Sequence, residues 1–334
     1  MQSPNPPGPP DHPSGPIDEF DAIEDLRARF EASARASRPG GDVPPSGDTW
    51  IGDDAAVVTL GDRDRRWLMA TDLVVAGVHF DLGLSDLEDV GYKALMVTIS
   101  DFAAMGARPA YALASVAAPA GTELGCLGAG LAEASRDAAT VVVGGDLSES
   151  PVLVVSTAAF GDLHGGTPPL LRSSARPGHH LFVTGPLGRS AAGLRLLRRG
   201  GMPSTSEEDG LIRAHRRPVA RVAEGEVARV SGADAAIDLS DGLASDAIQL
   251  ARSSGVGIAL HDLPVAAGAT RPEALHGGED YELLIATGDP DGLIGAFGAA
   301  GLAPPLPVGS CTAHLGEYSL DGGPLPPGGW RHRF

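Results

Sequence analysis

Aspartates in this chain recur at one kind of position, beside glycine or where an apolar strand-like run ends. They are Asp53 and Asp54 in IGDDAAVV, Asp72 in LMATDLVVAGVHF, Asp146 in VVVGGD, and Asp238 with Asp241 in AAIDLSDGLASD. Asp101 interrupts an otherwise apolar helical run, VTISDFAAMGA. A carboxylate buried without a partner is costly, and no matching set of Lys or Arg stands beside these in the sequence. A hard divalent cation supplies the missing charge: Mg2+ takes oxygen ligands and is held by a few carboxylates together with phosphate oxygens. Singly, each aspartate also suits a structural role, Asp53 in a turn and Asp241, ahead of Gly242, as a helix cap. Together they point to a multi-metal nucleotide site. Gly144 and Gly145 fit that reading, because a backbone without Cβ lets a ligand come close. Neither G-x-x-x-x-G-K-[ST] nor the Rossmann fingerprint occurs, so a nucleotide here is held by something other than a P-loop.

The bulk composition narrows the partners. With 334 residues the chain suits two domains better than one core, and 43% hydrophobic residues are enough to bury them. Aromatics are only 4%, so the core is built from Ala, Val, Leu and Ile. A formal net charge of −18 argues against a nucleic-acid partner, which needs clustered Lys and Arg. It also repels anionic substrates at long range unless cations stand between. Cys126 and Cys311 match no metal or disulfide spacing and read as reduced thiols of a cytoplasmic protein. No run of about 18 apolar residues marks a membrane span, and no basic-then-apolar N-terminal pattern marks a signal peptide.

Several elements must position these side chains. Residues 1–16 are Pro-rich and read as disordered. A helix is expected from Ile17 to Phe30 and a loop over 37–48. DDAAVVTL and RRWLMATD read as strands. SDLEDVGYKALMVTISDFAAMGA reads as a long helix capped by Ser85 or Asp86 and stopped at Gly106 and Pro109. A strand (AYALASVAAP), a helix over 122–138 and two strands (TVVVGGD, VLVVSTAAFG) follow. Polar and Pro-rich residues mark a boundary near 165. The second half reads as strand HLFVTG, helix SAAGLRLLRR, a loop at 200–210, one helix over 211–230, strand AAIDLSD, helix GLASDAIQLARSS, strands GIALHDLP and YELLIATG, and a helix near DGLIGAFGAAG. Neither half alternates as clean βαβ units, so the fold class is α+β with mixed or antiparallel sheets. The expected organisation is a tail (1–16), an N-terminal domain (17–165) and a C-terminal α+β domain (166–334).

Taken in order, GDDAAVV, ATDLVVAGVHF, YKALMVTISDFAAMGARP, VVGGD, LLRSSARPG, AIDLSDGLASD and GGEDYELL resemble thiamine-monophosphate kinase, of the aminoimidazole ribonucleotide synthetase-like superfamily. The resemblance covers roughly residues 17–334. It implies that superfamily's two-domain fold, phosphorylation of thiamine monophosphate by ATP, and a homodimer joined through its N-terminal sheets with ATP in the cleft. It places several Mg2+ ions on Asp54, Thr71, Asp72, Asp101, Asp146 and Asp238, with a further one on Asp241. It places Gly145, Asp146, Arg172 and Ser240 at the ATP phosphates, the Arg172 fork suiting bidentate contact. It places His79, Glu279 and Trp330 at thiamine monophosphate, Glu279 towards its cationic ring system and Trp330 stacking on it. As structural alternatives, Arg172 is a solvated loop residue, Ser240 an N-cap, His79 a strand-end surface residue, Glu279 a loop carboxylate and Trp330 a packed terminal aromatic.

Two positions depart from the family pattern. Ala70 stands where Ser usually precedes Thr-Asp, so a ligand there is restricted to the main-chain carbonyl. Leu147 follows GGD where Thr is usual, so local hydrogen bonding differs. The acceptor oxygen in the implied reaction belongs to a phosphate and is already anionic. Direct transfer of the γ-phosphoryl group therefore needs charge relief and alignment rather than a general base. The nearest alternatives are sister enzymes that use ATP to activate an oxygen atom: the aminoimidazole ribonucleotide synthetase itself, selenophosphate synthetase, or the hydrogenase maturation dehydratase. From a different class, the alternative is a regulator that binds nucleotide or thiamine phosphate without turnover.

Overall fold

A computed structural model describes residues 19–37, 42–60, 66–163, 166–200 and 203–330. The Pro-rich stretch 1–16 and the boundary expected at 165 lie outside the described residues. Helix α1 (Glu19–Ser37) belongs to one unit, and Pro44–Trp330 form the other. The helix runs past its expected end at Phe30. Its exposed face continues with i,i+4 ion pairs, Arg29 to Asp25 at 2.7 Å and Arg35 to Glu31 at 2.9 Å, which favour helix without needing an apolar stripe.

The unit from Pro44 to Trp330 is built on two sheets. Strands β1 (Ala56–Thr59), β2 (Arg66–Val75), β3 (Arg108–Ala118), β4 (Val141–Glu149) and β5 (Val154–Asp162) form the first, in the order β1-β2-β5-β3-β4. Only β3 and β4 pair in parallel. Strands β6 (His180–Val183), β7 (Ala235–Asp238), β8 (Gly257–Leu260), β9 (Leu283–Thr287), β10 (Leu306–Thr312), β11 (Tyr318–Leu320) and β12 (Gly323–Pro324) form the second, in the order β12-β11-β8-β10-β6-β9-β7. It too is mixed, with β8 and β11 parallel. Both sheets thus agree with the mixed α+β expectation.

Helix α2 (Leu87–Ala104) is the central element. Asp86 caps it, its side chain accepting the Asp89 amide at 2.8 Å, and Gly106 takes a positive φ of 67° beyond its end. Fifteen of its residues are buried, as expected of a helix apolar all round. One side lies on the first sheet through Val90, Leu95, Ile99 and Phe102. Its last turn, Ala103 and Ala104, enters the core of the second sheet with Phe182, Ala236, Leu283 and Ile285. Two alanines at that point let the helix end come close without a clash. Helix α3 (Leu124–Asp137) packs alongside α2. Among the described residues no helix is long and apolar enough to cross a membrane.

The second half departs from expectation in three places. The helix expected over 211–230 is two helices, α5 (Ser206–Arg216) and α6 (Val222–Val230). Pro218 between them has no amide to donate and its ring clashes with a preceding helical carbonyl. The loop expected at 200–210 already contains the start of α5, where Thr205 accepts the Glu208 amide at 3.2 Å and three acidic residues follow. Beyond α4 (Arg189–Arg199) and α7 (Leu243–Ser254), the sequence reading missed α8 (Arg271–His276), opened by a capping box of Thr270 and Glu273, and the strands β10 to β12. The helix expected near 291–301 is α9 (Pro290–Ala299).

Gly145 carries a packing constraint besides the close approach expected of it. A Cβ there would lie 1.7 Å from the Ala114 carbonyl oxygen of β3, whereas one at Gly144 would meet only the Leu113 side chain, at 3.5 Å. The bare backbone at Gly145 serves strand pairing at the edge of the sheet, next to the register shift after Ala112. Gly145→Ala is therefore expected to destabilise the protein by roughly 2 kcal/mol or more, and Gly144→Ala far less. Chemical denaturation of both variants checks this.

Candidate active site

The carboxylates converge where β2, α2 and β7 meet. Asp72 lies near the end of β2, Asp101 near the end of α2, Asp238 ends β7, and Asp54 precedes β1. Carboxylate oxygens of Asp54, Asp101 and Asp238 all lie within 4.8 Å of one another. The Ser100 hydroxyl donates to Asp238 Oδ2 at 2.6 Å, fixing α2 to β7 at the cluster. Asp72 faces α2 from the same sheet side as Leu68, Ala70 and Val74. Its Oδ2 is buried with no hydrogen-bond partner among the described residues.

Crowding of like charges out of water sets the electrostatics. Burial, with the Asp72, Asp238 and Asp54 charges added, holds the Asp101 carboxyl well above the usual range. Burial and the Asp54 charge push Asp238 up to about 8, with the Ser100 bond opposing. Burial raises Asp72 as well, although Thr98 and Asp101 bond to it and pull the other way. Asp53 rises to about 7 through burial and Asp54. Asp53 also holds backbone: it accepts the amides of Asp54 at 3.0 Å and Arg172 at 3.2 Å, the turn role open in the sequence.

Arg172 supplies the counter-charge. Its guanidinium grips Asp54 with two donors, Nε at 3.0 Å and Nη2, while Nη1 donates to Gln249 Oε1 at 3.0 Å. It lies in a short 3-10 turn whose Arg172 carbonyl accepts the Ser254 hydroxyl at 2.6 Å. Burial opposes its charge, but Asp54, as ion pair and as acceptor, outweighs it and the net shift is upward. It is thus not a free loop residue: its fork is turned onto Asp54, and its side chain keeps about one-fifth of its surface exposed, at 21%.

The remaining expected residues fall into three places. Thr71 donates to the Thr157 carbonyl at 2.9 Å, and Ala70 is buried in the β2–β5 ladder. Asp146 lies on the edge strand, exposed, paired in register with Ser115. The line of register through Asp72 runs Thr157, Ala114, Gly145. Asp146, one residue on, faces the opposite side of the sheet. Asp146 is therefore not part of the buried cluster. Asp241 does not cap α7, and Ser240 does not either: the N-cap is Gly242, and buried Asp246 accepts the amides of Asp241 at 3.1 Å and Gly242 at 3.0 Å.

A second group of side chains lies around Glu279. Its carboxylate meets Lys93 Nζ at 2.5 Å and His215 Nδ1 at 3.3 Å, and the Ser190 hydroxyl lies 3.0 Å from the same His215 nitrogen. Lys93 also donates to the His79 carbonyl at 3.2 Å, and His79 Nδ1 accepts the Val75 amide at 3.0 Å, closing the turn after β2. Glu279 and Tyr281 hold positive φ of 69° and 51°, rare for residues with side chains. Their amides donate to Ser240 and Leu239 carbonyls at 2.8 and 3.0 Å, tying this loop to the end of β7. The Trp330 amide donates to the Asp241 carbonyl at 3.0 Å, and its ring is half exposed. The sequence reading missed Ser100, Asp246, Lys93 and His215. Lys93, a lone cation inside the apolar α2 pattern, carried a signal; His215 carried none.

A mixed two-sheet fold with buried oxygen donors gathered at the end of its central helix defines the class. Residues 52–163 match AIR synthase related protein, N-terminal domain. The chain is 38% identical over 258 residues to a thiamine-monophosphate kinase of Corynebacterium glutamicum, covering 72% of this chain and 78% of that one. It is 37% identical over 281 residues to that of Bacillus subtilis, covering 80% and 82%. A solved structure of AaThiL complexed with AMPPCP and TMP superposes with a TM-score of 0.80 at 31% identity, covering 94% of this chain and 97% of that one. The chain belongs to the thiamine-monophosphate kinase family.

The cluster gives a sign to the pH dependence of stability. Asp53 and Asp238 are raised from 3.8 to about 7 and about 8. Their contribution to stability is full below about pH 4 and is lost as pH rises through about 7 to 8. A divalent cation that binds the ionised carboxylates offsets that loss. Thermal unfolding from pH 5 to 8.5 is expected to fall with pH in chelator and to flatten with excess Mg2+.

Proposed function

We propose that this kinase transfers the γ-phosphoryl group of ATP to thiamine monophosphate, directly and in line, with several Mg2+ ions bound. The observation that carries the reading is the convergence of Asp54, Asp101 and Asp238 beside the buried Asp72 Oδ2. These are hard oxygen donors with more negative charge than Arg172 alone balances, which fits Mg2+. Asp54, Asp72, Asp101 and Asp238 are the buried ligands in this reading, with Thr71, the Ala70 carbonyl and Asp241 at the margin. Bound Mg2+ neutralises the phosphates and lets two anions approach.

The chain's own groups do the rest. Arg172 exchanges part of its grip on Asp54 for a phosphate, to which its fork is equally matched. Ser240 and the Gly145–Asp146 backbone lie towards the ATP phosphates, while His79, Glu279 and Trp330 receive thiamine monophosphate. The exposed Trp330 ring suits stacking on an aromatic ring. Because both Glu279 oxygens are engaged by Lys93 and His215, that residue shapes the pocket more than it offers a free charge. No protein group needs to take a proton from the acceptor, whose phosphate oxygen is already anionic.

The reading includes a cytoplasmic homodimer. Leu73, Tyr111, Leu113 and Val141 are all exposed. Register and strand alternation put them on the sheet face away from α2. A second copy covering that face buries them and brings its own face towards Asp146. Leu113→Asp is expected to give a monomer of the same fold, read by light scattering with far-UV circular dichroism.

The first experiment is ³¹P NMR of the protein with Mg2+, ATP and thiamine monophosphate. Thiamine diphosphate with matching ADP supports the reading. ATP consumed only with another acceptor moves the protein to a sister activity, and nucleotide binding without turnover makes it a regulator. In the active case Asp72→Asn is expected to lower kcat by about 100-fold or more, since a metal ligand supplies several kcal/mol. A phosphorylated protein trapped during turnover would overturn direct transfer.

A further inference from the structure

We propose that Lys93 is a positioning residue for the acceptor pocket, acting through the Glu279 side chain and the His79 turn. The inference rests on the kinase reading above and adds a residue to it. Lys93 is only 3% exposed, and a buried ammonium persists only where it is paired and hydrogen-bonded. Among the described residues it has two partners, and both belong to residues that the kinase reading assigns to thiamine monophosphate. One is the Glu279 carboxylate at 2.5 Å and the other the His79 carbonyl at 3.2 Å.

The loop needs such a hold. Glu279 and Tyr281 both have the left-handed backbone that a side chain disfavours. Conformations of this kind persist only where the surroundings over-determine them. The amides of Glu279 and Tyr281 fix the loop's backbone to β7. Among the described residues, Lys93 and His215 are the groups that hold the Glu279 side chain. Burial, with the Lys93 charge beside it, lowers His215 to about 4, so its ring is neutral near pH 7. The fixed ion pair is therefore that of Lys93 with Glu279. Lys93 is also rigidly placed relative to the metal end, since Asp101 lies eight residues on along α2, a rise of about 12 Å. One helix thus sets the separation between the carboxylate cluster and the acceptor pocket.

Lys93→Met keeps the length of the side chain and removes its charge and donors. The expected result is a tenfold or greater rise in KM for thiamine monophosphate, with KM for ATP within twofold and unchanged stabilisation by Mg2+. In a Glu279→Gln background the same substitution is expected to add less than twofold. Lys93→Arg keeps the charge but shifts the donor, and is expected to fold and to show a smaller rise confined to thiamine monophosphate. It is the variant to read if Lys93→Met does not fold. Calorimetric titration with thiamine monophosphate alone separates this inference from the kinase reading. Wild-type binding without turnover defeats the kinase reading while the loss of affinity in the variants still supports the role of Lys93. A folded variant that binds and turns over thiamine monophosphate as the wild type does, or that loses ATP affinity equally, overturns it. So does a wild type that does not bind thiamine monophosphate.

Discussion

Four carboxylates, Asp54, Asp72, Asp101 and Asp238, lie at one junction with a single guanidinium to balance them, and the architecture around the junction follows from holding that arrangement together. Like charges at such distances in a poorly solvated space repel strongly. They stay together because Asp72, Asp101 and Asp238 are each anchored to a different rigid element, while Arg172 holds Asp54. Asp72 is fixed in a strand flanked on both sides, Asp101 in a helix buried all round, and Asp238 at the end of a buried strand. Ser100 ties two of these elements through Asp238. The core around them, apolar and tightly packed, carries the stability that the site itself lowers. A site that binds cations is expected to be locally unfavourable without them, and this one concentrates that cost in a few side chains.

The helix α2 explains why two sheets act as one scaffold. Its length lies on the first sheet, and its last turn sits in the apolar core of the second. Replacing Ala103 or Ala104 by anything larger would push the end of α2 away from β7 and part Asp101 from Asp238. The small residues of that turn are thus as necessary to the cluster as the aspartates, although they touch no ligand in any reading of the site.

Local pattern made much of this legible in the sequence. The strand runs, the long helix with its Asp86 cap and the recurrence of Asp beside Gly all follow from period, cap chemistry and the cost of burying charge. What was hidden depends on distant partners. Gly145 read as room for a ligand; the Ala114 carbonyl of the neighbouring strand adds a constraint that no local pattern reveals. Asp241 read as a metal ligand or a helix cap; it does not cap α7, and Asp246 reaches back to the two amides there. Arg172 read as a phosphate ligand, while its place on Asp54 required knowing that a turn after the first sheet returns to the segment leading into β1. Pro218 was visible but was outweighed by the helical period on either side of it.

The two groups of charge differ in a way that bears on catalysis. At the carboxylate cluster, negative charge exceeds positive, and on the proposed reading the excess is available to cations. Around Glu279, charge is balanced internally by Lys93, with a neutral His215 completing the shell. An acceptor that is itself anionic would be repelled by a second uncompensated carboxylate. Neutralising Glu279 within the protein removes that repulsion, while on the proposed reading the carboxylate cluster stays free to attract cations. On the proposed reading, the acidity of the chain as a whole is thereby confined, where the two phosphates would meet, to the residues that would exchange it for bound cations.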